Sequence, residues 1–432
     1  MRLATGVRPV TTVAYIANQF PSPLEPYVMD EISELRRRGV RVICCSGKET
    51  PSNERPINEL SAAERAFRDE TRFLWPLSPQ KLAQAAHRVG SDRRALRPVL
   101  QAALQESNGC RSQHLRALGH TLLGAALADE LAPLEVEHIH AHHGYFASWM
   151  ALVAARLLGI GFSLTLHGSD LLLHGHLLAA KLRFCRFCIT VSNFNRDHIL
   201  HRFPSIPASK VLVQRLGVDC VPPPAQAAPP SDEQPFLLLS VGRLNRVKNH
   251  QFLIRACAAL RNEGRDFCCW IAGEGPERPA LERQIEALQL QAQVRLLGHI
   301  PRDKLSHYYR RAGVVVLTSL SEGVPVVLME AMARQKLVLA PAITGIPELV
   351  EHVRTGFLYE PGSMRDFLNV LSWILDRRSS LAQVRRAAAA SVSANYNRQR
   401  NLRSFADHFL ERIASRDHAY ENPLLQQVQL SV

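Results

Sequence analysis

Five prolines fall within residues 221–230, and no large apolar side chain follows Val221 in that run. Proline lacks a backbone N–H and holds φ near −65°, so such a stretch neither continues a helix nor sits inside a sheet. It reads as a linker, and it divides a chain of 432 residues, long enough for two ordinary domains. Ahead of it, β-rich runs at 10–17, 40–46, 136–142, 162–167, 187–192 and 210–216 alternate with amphipathic stretches such as 27–38. Beyond it the pattern restarts at 236–241 and continues through 267–272, 294–297, 314–318 and 337–340. Strands apolar on both faces and separated by helices imply parallel sheets covered by helices. The expectation is an α/β protein with an N-terminal domain over 1–220, a hinge over 221–234 and a C-terminal domain over 235–395. Residues 396–432 add a helix and a tail, expected to return to the N-terminal domain. Open α/β sheets bind ligands beyond the carboxyl ends of their strands, so the facing edges of two such domains would make a cleft.

Composition narrows the class. With 46% hydrophobic and 21% charged residues, the chain is globular rather than disordered. Its formal charge of +13 raises a nucleic-acid or membrane reading. Divided at residue 220, however, the parts hold 26 basic against 19 acidic residues and 26 against 20, so neither is a basic arm. At 6% aromatic and without aromatics among the basic clusters, a nucleic-acid platform is disfavoured. Arg36, Arg37, Arg38 and Arg41 form one local cluster. Residues 81–116 hold seven basic residues against Asp92 and Glu106: a solvated face, or a patch for anionic lipid headgroups or an anionic substrate.

The nine cysteines are odd in number and include the adjacent pairs Cys44–Cys45 and Cys268–Cys269, which suits buried thiols in a reducing compartment. Cys185 and Cys188 have metal-ligand spacing without a second ligand pair nearby, which argues against zinc. Residues 147–166 are nearly all apolar, but Gly159 and Gly161 break them into a buried helix and a strand. No signal peptide is read at the N-terminus. The expected location is cytoplasmic, with peripheral contact at the inner face of an anionic membrane as an option.

Four constellations follow predicted strands. Gly242-Arg243-x4-Lys248 places a forked cation and a point charge on one loop, able to converge on a diphosphate. Gly273-Glu274-Gly275-Pro276 is a turn that lets backbone approach a ligand closely, and it lacks the third glycine of a dinucleotide fingerprint. His138, His140 and His142 alternate along one strand face, with His167-Gly168-Ser169-Asp170 at the next strand end. A zinc enzyme would usually add a helical HExxH or a carboxylate ligand, so no metal site is assigned. His142 and His167 instead suit hydrogen bonding to substrate or acid–base work. Finally, Glu322 and Glu330 bracket Gly323-Val324-Pro325-Val326, where Pro325 suits a first helical turn and the helix start would face an anion.

Glu322-x7-Glu330, with Gly242-Arg243-x4-Lys248 and Gly273-Glu274-Gly275-Pro276, closely resembles the retaining glycosyltransferases of family 4, the group 1 transferases. Thr344-Gly345-Ile346-Pro347-Glu348 and Thr355-Gly356-Phe357-Leu358 match the way that family continues. In the N-terminal half, His140-Ala141-His142, residues 165–170 and Leu216-Gly217-Val218-Asp219 look like its usual strand ends. The resemblance implies a GT-B fold, two Rossmann-like domains facing each other across a cleft. It further implies that Arg243 and Lys248 hold the donor diphosphate and neutralise the leaving group, that Glu322 contacts the transferred sugar and Glu330 the ribose, and that the backbone of 323–326 lies against sugar and phosphate. Gly242, Gly273, Glu274 and Gly275 would complete the donor site. His142 matches the histidine near the family's reacting centre, and His167 and Asp170 would face the acceptor. The family needs no metal, and this chain has no Asp-x-Asp. Many members carry a Gly-Gly loop after the first strand; here Asn18-Gln19-Phe20-Pro21-Ser22-Pro23-Leu24-Glu25-Pro26 resembles the Phe-Pro-x-x-x-Glu variant of exopolysaccharide transferases, which makes Glu25 a candidate acceptor contact.

The activity this implies is transfer of a hexose-type sugar, with retention, from a nucleotide-diphosphate sugar to a saccharide or lipid-linked acceptor, with no cofactor and no nucleic-acid partner. Two other readings use the same features: a nucleotide-sugar epimerase or phosphorylase on the same architecture, and a non-catalytic protein bound at a membrane surface.

Overall fold

A computed structural model describes residues 11–22, 25–49, 60–106, 111–173, 175–220 and 235–415. The linker at 221–234, Pro23, Leu24 and the tail beyond residue 415 lie outside the described residues. The chain forms two compact units. One comprises the chain up to Thr190, Arg196–Gln214 and the chain from Leu402; the other comprises Val191–Asn195 and Arg215–Asn401.

The first unit holds seven parallel strands: β1 (Thr12–Gln19), β2 (Arg41–Lys48), β3 (Arg72–Phe73), β4 (His138–His142), β5 (Gly161–Leu166), β6 (Phe187–Thr190) and β7 (Val211–Val213), in the order β3-β2-β1-β4-β5-β6-β7. The second holds β8 (Phe236–Val241), β9 (Phe267–Ala272), β10 (Val294–Gly298), β11 (Val314–Val316), β12 (Leu337–Pro341) and β13 (Phe357–Tyr359), in the order β10-β9-β8-β11-β12-β13. Both orders reverse direction beside their first strand, between β1 and β4 and between β8 and β11. That reversal is the topological switch point of a doubly wound fold, where strand-following loops diverge and leave room for a ligand.

Burial explains the near-continuous apolar runs. Val13, Ala14, Ile16, Leu238, Leu239, Val314, Val315 and Val316 are all fully buried, as parallel strands covered on both faces require. The helix Phe146–Leu158 has nine consecutive buried residues, Ala147–Ala155, and ends on Gly159 at φ 69°, the left-handed conformation favoured at helix ends. No helix among the described residues is long and apolar enough to cross a membrane. Cys44, Cys45, Cys185 and Cys188 are buried free thiols, and burial pushes Cys185 up to about 12.

Three structural details differ from the pattern-based expectation. The division between units falls after Gln214 rather than at 220, because Val218 exchanges backbone hydrogen bonds with Tyr396 and Arg398. Strands β3 and β13 span only two and three residues, too short for periodicity to register. Pro325 is the N-cap of the helix Val326–Ala333 rather than a residue of its first turn, with an extended ψ of 116°. In the first unit, Phe405, Ala406 and Phe409 of the last helix, Arg398–Ala414, pack with Val13, Tyr15, Phe187 and Ile189.

Candidate functional site

The switch point of the second unit gathers most of the expected donor residues. Asn245 accepts a hydrogen bond from the Lys248 N–H through its side chain, at 3.2 Å, capping a one-turn helix over Arg246–Lys248. That cap turns Lys248 back toward the end of β11, where its Nζ lies 2.6 Å from Glu322 Oε1. Ser319 Oγ donates to the same oxygen at 2.6 Å, and Thr344 Oγ1 donates to the Glu322 carbonyl at 2.6 Å. Glu322 thus has its place set by three strand-end loops. Arg243 is exposed and makes no ion pair among the described residues, so its guanidinium is available to an incoming anion. One cation is thus held by a carboxylate, and the other has no ion pair among the described residues.

Glycines let these loops approach. A Cβ on Gly273, at φ 151°, would lie 1.9 Å from the Gly242 carbonyl oxygen, and one on Gly275, at φ 156°, would lie 2.4 Å from that of Leu244. The Leu244 N–H donates to Glu274 O at 2.8 Å, tying the β8 and β9 loops together, while Glu274 pairs with Arg278 at 2.7 Å at the surface. The turn Gly323-Val324-Pro325 is held by the same device: a Cβ on Gly345 would meet the Gly323 carbonyl oxygen at 2.5 Å. The amides of Val326 and Val327 open the helix and have no carbonyl of their own turn to bond. Glu330, buried about one turn further on, accepts from Tyr309 Oη at 2.9 Å and from Arg302 Nε at 3.3 Å.

The first unit has a histidine-centred site at its own switch point. His142 ends β4, fully buried, with Nε2 at 2.9 Å from Glu31 Oε2 and Nδ1 at 3.2 Å from His167 Nε2. His138 and His140 lie on the same strand face and share the Ser163 hydroxyl, each at 2.7 Å. Burial keeps both neutral, pushing His138 down to about 3 and His140 well below the usual imidazole range. Glu31, His140 and His142 bring donor atoms within 4.8 Å of one another. Each already has a protein partner: Tyr15 Oη donates to Glu31 at 3.3 Å and His140 Nε2 meets Thr165 Oγ1 at 3.0 Å. Glu31, His140 and His142 are thus each engaged in hydrogen bonds within the protein.

His143 joins two of the expected acceptor residues. At φ 67° it turns off the strand, with Nε2 at 3.0 Å from Glu25 Oε1 and Nδ1 at 3.6 Å from Asp170 Oδ2. Burial disfavours its cation, but Glu25 and Asp170 outweigh it and raise His143 to about 10. Burial opposes ionisation of Asp170 too, and His143 together with backbone N–H groups reverses that, holding it below the usual carboxylate range. Asp170 accepts from the N–H groups of Gly144, His167 and Gly168. Behind this loop the fully buried Lys181 donates from Nζ to the carbonyls of Gly144, Tyr145 and His176, each at 2.7 Å.

Ser319, Tyr309, Arg302, His143 and Lys181 are given no site role by pattern, and Thr344 enters only as the first residue of a stretch that matches the family's continuation. His143 alone had a signal: it directly follows the alternating histidines and precedes a glycine. The others depend on contacts between residues distant in sequence.

Residues 224–391 match the family model of the group 1 glycosyl transferases, and residues 107–221 match that of glycosyltransferase family 4. The amylovoran biosynthesis glycosyltransferase of Erwinia amylovora is 26% identical over 428 residues, covering 93% of this chain and 100% of the relative. A putative colanic acid biosynthesis glycosyltransferase of Escherichia coli is 27% identical, covering 90% of this chain and 96% of the relative. Among solved structures, Anabaena HepE in complex with UDP-glucose has a TM-score of 0.68 at 18% identity, over 93% of this chain and 99% of that one. Sucrose-phosphate synthase from Thermosynechococcus elongatus has a TM-score of 0.69 at 18% identity, over 93% and 98%. The structural likeness speaks for the fold, and the family models for the chemistry. Two Rossmann-like units of matching strand order, each overlapped by its own family model, place the chain among the group 1 glycosyltransferases of family 4, with the GT-B fold.

Proposed function

We propose that this glycosyltransferase moves a hexose, with retention of anomeric configuration, from a nucleotide-diphosphate hexose to a saccharide or lipid-linked acceptor during assembly of an exopolysaccharide. The observation that carries the reading is the Lys248–Glu322–Ser319 cluster beside the open Arg243 at a switch point. The names of the bacterial relatives, which concern amylovoran and colanic acid, support the polysaccharide context.

In this reading Arg243 and Lys248 bind the diphosphate and offset the charge that grows on it as the anomeric C–O bond breaks, together with the amides at the start of Val326–Ala333. Glu322 receives sugar hydroxyls, and Glu330 the ribose. Glu25, His167 and Asp170 border the acceptor, with His142 beside the reacting centre. The acceptor oxygen bonds to the anomeric carbon on the face the phosphate leaves, and its proton passes to the leaving phosphate oxygen through an oxocarbenium-like state. The two side-chain cations and the helix start do the work for which other transferases use a metal.

A panel of nucleotide hexoses read by thermal shift tests the donor, with UDP-glucose as first probe because HepE is seen with it. A donor at a hundred times its Kd should stabilise the protein by about 2.7 kcal/mol. Proton NMR of the product then reads the anomeric configuration. An inverted product would overturn retention, and donor turnover without any acceptor would favour an epimerase.

A further inference from the structure

Glu330 is held by two donors of different character. The helix Arg302–Arg311 follows β10 and the helix Val326–Ala333 follows β11, both in the second unit. From the interior, Tyr309 Oη donates to Glu330 Oε2 at 2.9 Å; from the surface, Arg302 Nε donates to Oε1 at 3.3 Å. Tyr309 is 1% exposed, in a core that includes Val315, Leu328 and Met332. Arg334 lies over its ring at 5.2 Å and donates from Nη1 to the Glu330 carbonyl at 2.9 Å, so one side chain clamps both the ring and the helix that carries the acid. Burial first, and then Glu330, pushes the Tyr309 hydroxyl well above its usual range, which keeps the proton on the phenol and directed at the carboxylate. The Arg302 side chain is 42% exposed, and an ion pair so open to water fixes little.

A carboxylate has about four lone-pair positions, two on each oxygen. One donor occupies each oxygen of Glu330, so each can accept once more, and 11% of the side chain is open to solvent. Two acceptor positions on neighbouring oxygens match two neighbouring hydroxyls. We infer that Tyr309 is a positioning residue: it presents Glu330 to the vicinal 2′- and 3′-hydroxyls of the donor's ribose, one to each oxygen, and so makes the site selective for ribonucleotides. This rests on the donor reading of the second unit. Tyr309 is buried in the core and touches no substrate; its action passes through Glu330. Without the phenol the carboxylate would remain but could turn about its terminal bond, and a site discriminates by a hydroxyl only while its own polar group is held in place.

The test is calorimetric titration of the full chain with UDP, GDP and ADP, each beside its 2′-deoxy and 3′-deoxy forms. The nucleotide bound tightest should lose about tenfold or more in affinity when either hydroxyl is removed, the scale of one hydrogen bond to a charged group. Tyr309→Phe keeps the ring and should bring that ratio down to about threefold or less, while binding the deoxy forms nearly as the native protein does. Glu330→Gln should also lose the preference, and Arg302→Gln should keep most of it. Melting temperatures establish that each variant is folded. Native affinity unchanged by removal of either hydroxyl overturns the inference without recourse to any variant. So does a Tyr309→Phe protein that weakens ribo and deoxy forms alike, the mark of a merely structural role. Loss of the preference in Glu330→Gln but not in Tyr309→Phe would sink this inference alone; failure of all three nucleotides to bind the native protein would sink the donor reading with it.

Discussion

Lys248 Nζ and Glu322 Oε1 stand 2.6 Å apart across 74 residues of sequence, each on the loop that follows a central strand of the second unit. Each sets the position of the other, and Ser319 donates to the same carboxylate oxygen. An anion entering beside Arg243 would find Lys248 already aimed by Glu322 rather than free to rotate.

Lys248→Ala should therefore reduce kcat by about 100- to 1,000-fold, the scale for losing a preorganised charge in a transition state. Glu322→Gln should act on the same step, and the double variant should be less than multiplicatively worse, because neighbours in one network are not additive. Steady-state kinetics on all three, with thermal melts to establish folding, checks this. Near-native turnover in both single variants would remove the donor assignment.

Backbone approach at the β8–β9 loops predicts a sharp contrast between glycines. Gly273→Ala puts a Cβ 1.9 Å from a carbonyl oxygen, whereas Gly264→Ala, at φ 71°, meets nothing within 4 Å. Gly264→Ala should cost about 1 kcal/mol of backbone strain. Gly273→Ala should cost more than twice that and impair donor binding. Urea unfolding read by circular dichroism measures both.

His143 makes stability depend on alkaline pH. Its folded pKa of about 10 lies above the unfolded value near 6.5, so its contribution is complete below about 6.5 and is lost as pH rises toward 10. His143→Gln should be less stable than the native protein at pH 6 and should lack that component of the alkaline decline. His138, held down to about 3 by burial, acts oppositely: the unfolded chain takes up a proton that the folded one refuses, so stability falls as pH drops from 6.5 toward 3. Denaturation midpoints for the native, His143→Gln and His138→Gln proteins across this range separate the two limbs.

Lys181 should prove costly to remove. Burial draws its ammonium down to about 7, yet three carbonyls depend on it. Lys181→Met keeps the volume and strands those carbonyls, an expected loss on the order of 3 kcal/mol. Loosening of the Gly144–Tyr145 loop should raise the acceptor KM and leave donor binding, measured by thermal shift, unchanged.

The bounds of β8 and β9 agree with the sequence reading residue for residue, because each is an apolar run, broken only by Ser240, and is followed at once by a glycine. The donor motif was legible for a related reason: its parts sit at fixed short spacings right after such strands. Partner choice was not legible. Nothing around Glu330 points to Tyr309, and nothing around Glu25 points to a charged His143, since those pairings arise where separate loops converge.

The amino-acid pattern by itself determined two doubly wound units, the strand ends that carry Arg243, Lys248, Glu322 and His142, and the family, because strand burial and loop chemistry are local properties of the chain. The tertiary structure alone decided which charges meet. It paired Lys248 with Glu322, left Arg243 without an ion pair among the described residues, joined His138 and His140 through Ser163 and His142 to Glu31, and set His143 between Glu25 and Asp170. Electrostatic and hydrogen-bond energies depend on distances across a few ångströms and on exclusion of water, and neither quantity exists until the strands are in register.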